Sequence, residues 1–124
     1  MIEYTVKVCP KGNKYWYLNG KLHREDGPAI EDASGYKAWY LNGNLHREDG
    51  PAIEDASGSK YWHLNGKLRR EGGPAYEGAR GYKEWWLDNK RLSEEEHKRL
   101  TSPVVEMTME EISKALGKQV KVVE

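Results

Sequence analysis

The apolar positions of this chain recur at a fixed interval. Trp-x-Leu pairs stand at Trp16/Leu18, Trp39/Leu41, Trp62/Leu64 and Trp85/Leu87, and the interval is 23 residues throughout. In an extended segment such a pair places two large apolar groups on one face, while Tyr17, Tyr40, His63 and Trp86 between them point to the other. Asn-Gly follows the first three pairs, supplying the positive φ angles of a tight turn. One Leu then precedes a polar run, Gly-Pro interrupts strand pairing, Ala-Ile-Glu resumes it, and Asp-Ala-Ser-Gly turns the chain back. Each repeat therefore predicts two antiparallel strands, and the series predicts a twisted meander.

The flanks differ from the repeats. Ile2, Tyr4, Val6 and Val8 alternate with Glu3, Thr5 and Lys7, predicting a half-buried strand within residues 1–11. Repeats fill residues 12–92, about three and a half copies, and residues 93–124 read as an α/β cap. In that cap Ser93-Glu94-Glu95-Glu96 is a capping box ahead of a helix stopped by Pro103. Thr108 opens a second helix with Ile112, Ala115 and Leu116 on one face and Gly117 at its end, and Gln119 to Val123 alternates as a strand. The expected fold is mainly β: a repetitive antiparallel meander sheet of hairpins in a single domain, with a small helix-helix-strand cap. A single sheet with aromatics on both faces needs a cover, and the tail is the expected one.

Composition narrows the function classes. Twenty basic and twenty acidic residues cancel, which weakens any case for nucleic-acid binding through phosphate neutralisation. Five Trp and eight Tyr without Phe suit half-buried sheets and stacking platforms, because each carries a polar tip. The single Cys9 fits a reducing compartment. No stretch is apolar enough to span a bilayer and the first residues lack a basic segment, so the expectation is a cytoplasmic protein without membrane attachment.

His23-Arg24-Glu25-Asp26 and His46-Arg47-Glu48-Asp49 hold the residue types that ligate metals or move protons. Two strands per repeat put equivalent positions roughly 10 Å apart, too far for one zinc ion with ligands at about 2 Å. Catalysis needs one asymmetric constellation, whereas this motif recurs nearly unchanged. The expectation is therefore structural: His and the acids bond loop backbone around Gly-Pro, and Arg pairs with an acid of the next unit. Arg24, Arg47, Arg69 and Arg70, with nearby aromatics, form a possible ladder for an anion or an acidic segment. The third repeat departs at Arg69, Gly72, Tyr76 and Gly78, and specificity is expected at Arg69, Gly72 and Tyr76.

With Asn-Gly-Lys-x-His after an aromatic strand every 23 residues, residues 12–92 resemble the MORN repeat, whose units are β-hairpins. His-Arg-Glu-Asp-Gly-Pro-Ala stands where the standard form has His-Gly-x-Gly, and this is similar to MORN-variant proteins of bacteria and bacteriophages. The resemblance implies scaffolding or protein binding, with antitoxin-like and phospholipid-contacting members. For a phage protein it implies inhibition of a host defence complex of the anti-CRISPR type.

The expected function is non-enzymatic binding of a protein partner, a host factor if the chain is phage-encoded, with no cofactor or metal. The contact residues expected are His23, Arg24, Glu25, Asp26, His46, Arg47, Glu48, Asp49, Arg69, Arg70, Tyr17, Tyr40, His63, Tyr76 and Trp86. The alternatives are a small-ligand or nucleotide binder with a His/Asp loop site, and a self-assembling scaffold or homodimer.

Overall fold

The computed structural model describes residues 3–102. Its strands are β1 (Thr5–Val8), β2 (Lys14–Leu18), β3 (Lys21–Leu22), β4 (Ile30–Glu31), β5 (Lys37–Ala38), β6 (Tyr40–Leu41) and β7 (Asn44–Leu45), then β8 (Ile53–Glu54), β9 (Lys60–Tyr61), β10 (His63–Leu64), β11 (Lys67–Leu68), β12 (Tyr76–Glu77), β13 (Lys83–Leu87) and β14 (Lys90–Leu92). One helix, α1 (Glu94–Thr101), follows. The described residues are mainly β, a large antiparallel meander-like sheet followed by one short helix. Its main sheet has ten strands in the order β1-β2-β4-β5-β8-β9-β12-β13-β14, with β3 also on β2, while β6-β7 and β10-β11 are separate pairs.

Each Trp strand is thus divided between two partners, and the division lies at the Trp. Ahead of Trp39, β5 pairs with β4 and β8 in the main sheet, and beyond it β6 pairs with β7 across the Asn42-Gly43 turn. Trp39 N–H donates to the Ala52 carbonyl at 2.7 Å, and its own carbonyl accepts from His46 N–H at 3.0 Å. The fork thereby carries its hydrogen bonds in both directions. Asn19, Asn42 and Asn65 adopt φ near +50° with Gly following at positive φ, and Asp88-Asn89 makes the same turn. These are the primed turns that match strand twist.

Register produces two distinct faces. One cross-sheet row reads Tyr15, Ile30, Ala38, Ile53, Tyr61, Tyr76, Glu84. The adjacent row, on the opposite face, reads Lys14, Glu31, Lys37, Glu54, Lys60, Glu77, Lys83, so charge alternates at every step. Opposite charges in register contribute about 0.2–1 kcal/mol per pair, and a slip of one strand would bring apolar and charged rows together.

The buried core is small. Ala29, Ala38, Ala52 and Ala75 are fully enclosed, Leu92 nearly so, and among the described residues no large side chain is completely buried. Ala29, Ala52 and Ala75 are the residues after Gly-Pro, and each ties its own Trp to the next repeat. Ala52 accepts from Trp39 N–H and donates to the Tyr61 carbonyl, both at 2.7 Å.

One expectation changes here. β1 is exposed along its whole length and not half-buried, because it is an edge strand with neither face covered by another described element. Only Tyr4, just before it, packs edge-on against Trp16, with ring centroids 5.8 Å apart. At the other end α1 starts at Ser93, whose hydroxyl accepts from Glu96 N–H, as the capping box requires. It packs on β13 and β14, so this part of the cap lies at the end of the sheet where the tail is expected. The second helix and the strand expected after Thr108 lie outside the described residues.

The hairpins between repeats rest on Asp32 and Asp55. One carboxylate oxygen of Asp55 accepts from Ser57 N–H at 3.0 Å, Ser57 hydroxyl at 2.6 Å and Ser59 N–H at 2.9 Å, and Asp32 does the same with Ser34 and Tyr36. The serine hydroxyl above all, with the backbone amides, holds both carboxyls below the ordinary range. The unfolded chain therefore binds more protons than the folded one in acid. The stabilisation is full above the unfolded value of about 4 and is lost as pH falls through the lower folded value. Thermal unfolding midpoints should fall steeply over that window, and Asp55→Ala should lower the midpoint at pH 7 while making the acid decline shallower.

Candidate functional site

The polar loops form the site, and Arg is what shapes them. The guanidinium of Arg24 lies 4.0 Å from the ring centroid of Trp16, Arg47 3.8 Å from Trp39 and Arg70 3.9 Å from Trp62. Arg47 also donates through Nε to Asp49 at 3.0 Å and through Nη1 to the Pro51 carbonyl at 3.1 Å, with Glu54 at 3.9 Å. Arg24 repeats this with Asp26, the Pro28 carbonyl and Glu31. Each loop is thereby folded back over its own Trp. Glycine leaves room for the guanidinium: a Cβ on Gly50 would stand 2.9 Å from Arg47 Cζ, and one on Gly27 3.0 Å from Arg24 Cζ, so either would push the fork aside.

The expected pairing of Arg with an acid of the next unit is therefore corrected. Arg24, Arg47 and Arg70 bind acids of their own repeat through the side chain, because the stack on Trp fixes the fork within its own loop. Their backbone reaches the next repeat: Arg24 N–H donates to the Tyr40 carbonyl, Arg47 to His63 and Arg70 to Trp86, at 3.1–3.2 Å. Of the four arginines expected as a possible anion ladder, Arg24, Arg47 and Arg70 are stacked and hold carbonyl or carboxylate partners within their own loops, and Arg69 holds Asp88 and Glu71.

His23 and His46 join repeats. His23 Nδ1 accepts from Asn42 N–H, and His46 Nδ1 from Asn65 N–H, both at 2.9 Å. The amide donor fixes the tautomer with the proton on Nε2, which faces Glu25 at 3.6 Å and Glu48 at 3.5 Å. Among the described residues no three His, Cys, Asp or Glu side chains gather as a metal ion would need. Both histidines are largely buried, with side-chain exposures of 6% and 13%, so they organise the loops from beneath.

The departures of the third repeat come in compensating pairs. Arg69 replaces His and reaches the next turn through Asp88, at 2.9 Å, where earlier turns carry Asn. It also holds Glu71 at 2.7 Å. Tyr76 replaces Ile and stacks on Tyr61 at 4.7 Å. Gly78 replaces Asp where a Cβ would meet the Tyr76 hydroxyl at 3.3 Å. With Gly72 in place of Asp, Arg70 closes on Glu77 at 3.2 Å. His97 of α1 then bonds the Arg70 carbonyl and is itself buried, ending the array.

Between successive loops lie two grooves. The first, about 700 Å³, runs between the loop at Arg24–Pro28 and the loop at His46–Asp49 over a floor of Trp39 and Leu41. The second, about 570 Å³, runs between Arg47–Gly50 and Arg69–Gly72 over Trp62 and Leu64. The carboxylates on the walls are open to solvent: 67% for Glu25, 84% for Asp26, 84% for Glu48 and 86% for Asp49, against 22% for Arg47. The first groove has four carboxylates to two guanidiniums, and the second three to three.

The expected contact residues are thus divided between faces. The loop residues from His23 to Asp26, from His46 to Asp49, and Arg69 and Arg70 share the groove face. Tyr17, Tyr40, His63, Tyr76 and Trp86 lie on the other. Tyr17 underlies Lys7, and Trp86 donates to Glu84 at 2.9 Å. That bond, then one from Tyr82, holds the Glu84 carboxyl low. Trp39, Leu41, Trp62 and Leu64 were not expected as contact residues. The signal for them was present in the Trp-x-Leu pairs, which share a face with the loops.

Gly50→Ala should destabilise by about 1 kcal/mol, and the same change in an Arg47→Ala background should cost little, because the three atoms nearest that Cβ all belong to the Arg47 guanidinium. Equal costs in both backgrounds, read by urea unfolding, would remove the stack from this account. Burial pushes the His63 imidazole below its ordinary value, so its contribution is full above the unfolded value of about 6.5 and is lost as pH falls. His63→Tyr, which restores the residue of the preceding repeat, should therefore gain stability at pH 5 relative to pH 8.

In comparisons with protein-family models, curated proteins and solved structures, none matched this chain.

Proposed function

We propose that this chain is a non-enzymatic protein-binding module of the MORN-variant kind, and that its inter-repeat grooves hold an extended cationic segment of a partner protein. One observation carries the reading: the guanidiniums of the loops are stacked on Trp and drawn inward, while Glu25 and Glu48 stand in solvent and Asp26 and Asp49, each accepting one bond from its Arg, are still largely exposed. A Lys or Arg side chain would lay its aliphatic stem along Trp39 and Leu41 and its charged head between the two acid walls. Complementary charge of this kind sets partner choice and association rate. The short-strand scaffold presents the grooves already formed, which limits the ordering cost of binding.

Groove spacing adds a second requirement on the partner. Two strands per repeat separate the grooves by roughly 10 Å, close to the ~9.3 Å that three residues span in a polyproline II segment. Side chains three positions apart would enter successive grooves, the more cationic one at the Trp39 groove. Taken with the resemblance to phage proteins, the inhibitor role would consist of occupying a basic segment of a host factor.

Fluorescence anisotropy with a labelled Arg/Lys-rich peptide should show binding that weakens as salt rises. Glu25→Lys with Glu48→Lys should reduce affinity about tenfold or more with the unfolding midpoint little changed. Preference for an acidic peptide or a nucleotide, or indifference to the charge reversals, would contradict the proposal.

A further inference from the structure

The two edges of the main sheet are treated differently. β14 is packed by α1, whereas the outer edge of β1 carries no other described element, and Val6 and Val8 are 40% and 64% exposed. Which backbone groups face outward follows from the ladder. Cys9 N–H donates inward to the Asn13 carbonyl at 2.8 Å, and Trp16, opposite Val6, donates away from β1 to Ala29. Because alternate residues of an antiparallel strand bond to opposite sides, Thr5 and Lys7 bond to β2 while Tyr4, Val6 and Val8 present N–H and C=O outward.

An exposed row of this kind is a template for another strand, and natural proteins blunt such edges with Pro, bulges or outward charge. β1 contains neither Pro nor a bulge, and its one charged residue, Lys7, has an acid to meet in the pairing below. Its sequence is instead complementary to itself. Paired antiparallel about Thr5, the outward residues meet as Tyr4 with Val6, and Glu3 falls opposite Lys7 in the closely spaced non-hydrogen-bonded positions. Centring on Val6 instead would set Glu3 against Cys9 and Lys7 against Thr5, leaving both charges without a partner. A symmetric interface must satisfy each contact twice, and the Thr5 register does so for both charge and apolar surface.

We propose that β1 pairs antiparallel with β1 of a second copy about a two-fold axis at Thr5, setting Glu3 of each copy opposite Lys7 of the other. The main sheet then runs continuously through both copies. The groove faces lie outside the seam, so dimerisation and groove binding are independent.

Sedimentation equilibrium over a wide concentration range tests this on the full chain. The unaltered protein should show a concentration-dependent monomer–dimer equilibrium. Glu3→Lys and Lys7→Glu should each weaken it about tenfold by setting like charges opposite each other, and the two changes together should restore it. An equimolar mixture of the two single variants should form a heterodimer in preference to either homodimer. Val6→Pro, which removes an outward donor and leaves the bonds to β2, should abolish the dimer without unfolding the chain. A monomer at every concentration, as when another segment of the same chain occupies the edge, would overturn the proposal. A dimer indifferent to the single charge changes would overturn it as well.

Discussion

The stack of Arg on Trp, repeated at Arg24/Trp16, Arg47/Trp39 and Arg70/Trp62, is the contact on which the rest of this molecule depends. A sheet of mostly two-residue strands with an alanine core has little apolar burial to stabilise it. Without cover, the Trp at each fork would expose a large ring, and the Gly-Pro loop would have no anchor. The guanidinium resolves both by lying on the ring while its N–H groups hold the loop carbonyl and carboxylate. A planar fork does this and an ammonium does not. The stack also favours glycine at positions 27 and 50, where a Cβ would crowd the guanidinium.

From that contact the inter-repeat surface follows. With Arg drawn inward, the Glu and Asp beside it are left outward, and a motif with one Arg to two acids presents an acid rim. His23 and His46 use Nδ1 to hold the next turn, which sets the distance between loops and hence the groove. The alternating Lys and Glu row beneath adds a register code, and the Glu of each pair is shared with the stacked Arg. Local charge patterning and repeat geometry are thus one arrangement, although the chain carries no net charge.

Much of this was legible in the residues alone. Asn-Gly at 19–20, 42–43 and 65–66 announced the turns, Ser93 announced the helix start, and the 23-residue interval announced the meander. The side-chain partners were less legible. Arg47 has Glu48, Asp49 and Glu54 within seven positions, and nothing in their order says which one the fork meets once it is stacked on Trp39. Nor does the order show that Arg69 and Asp88 change together, because they are brought into contact only by a turn of the following unit. The exposure of β1 was missed for a related reason: alternation in Tyr4, Val6 and Val8 reads the same for a covered strand and for an edge.

Each Arg organises its own loop and, through it, the junction with the next repeat. Hydrogen exchange in Arg47→Lys probes this, since lysine keeps the charge and loses the planar fork. Exchange should quicken at the amides of Trp39, His46 and Asn65, with the corresponding amides around Arg24 and Arg70 changing far less. Unchanged protection at Trp39, His46 and Asn65, or an equal loss along the whole sheet, would show that the stack does not hold the junction.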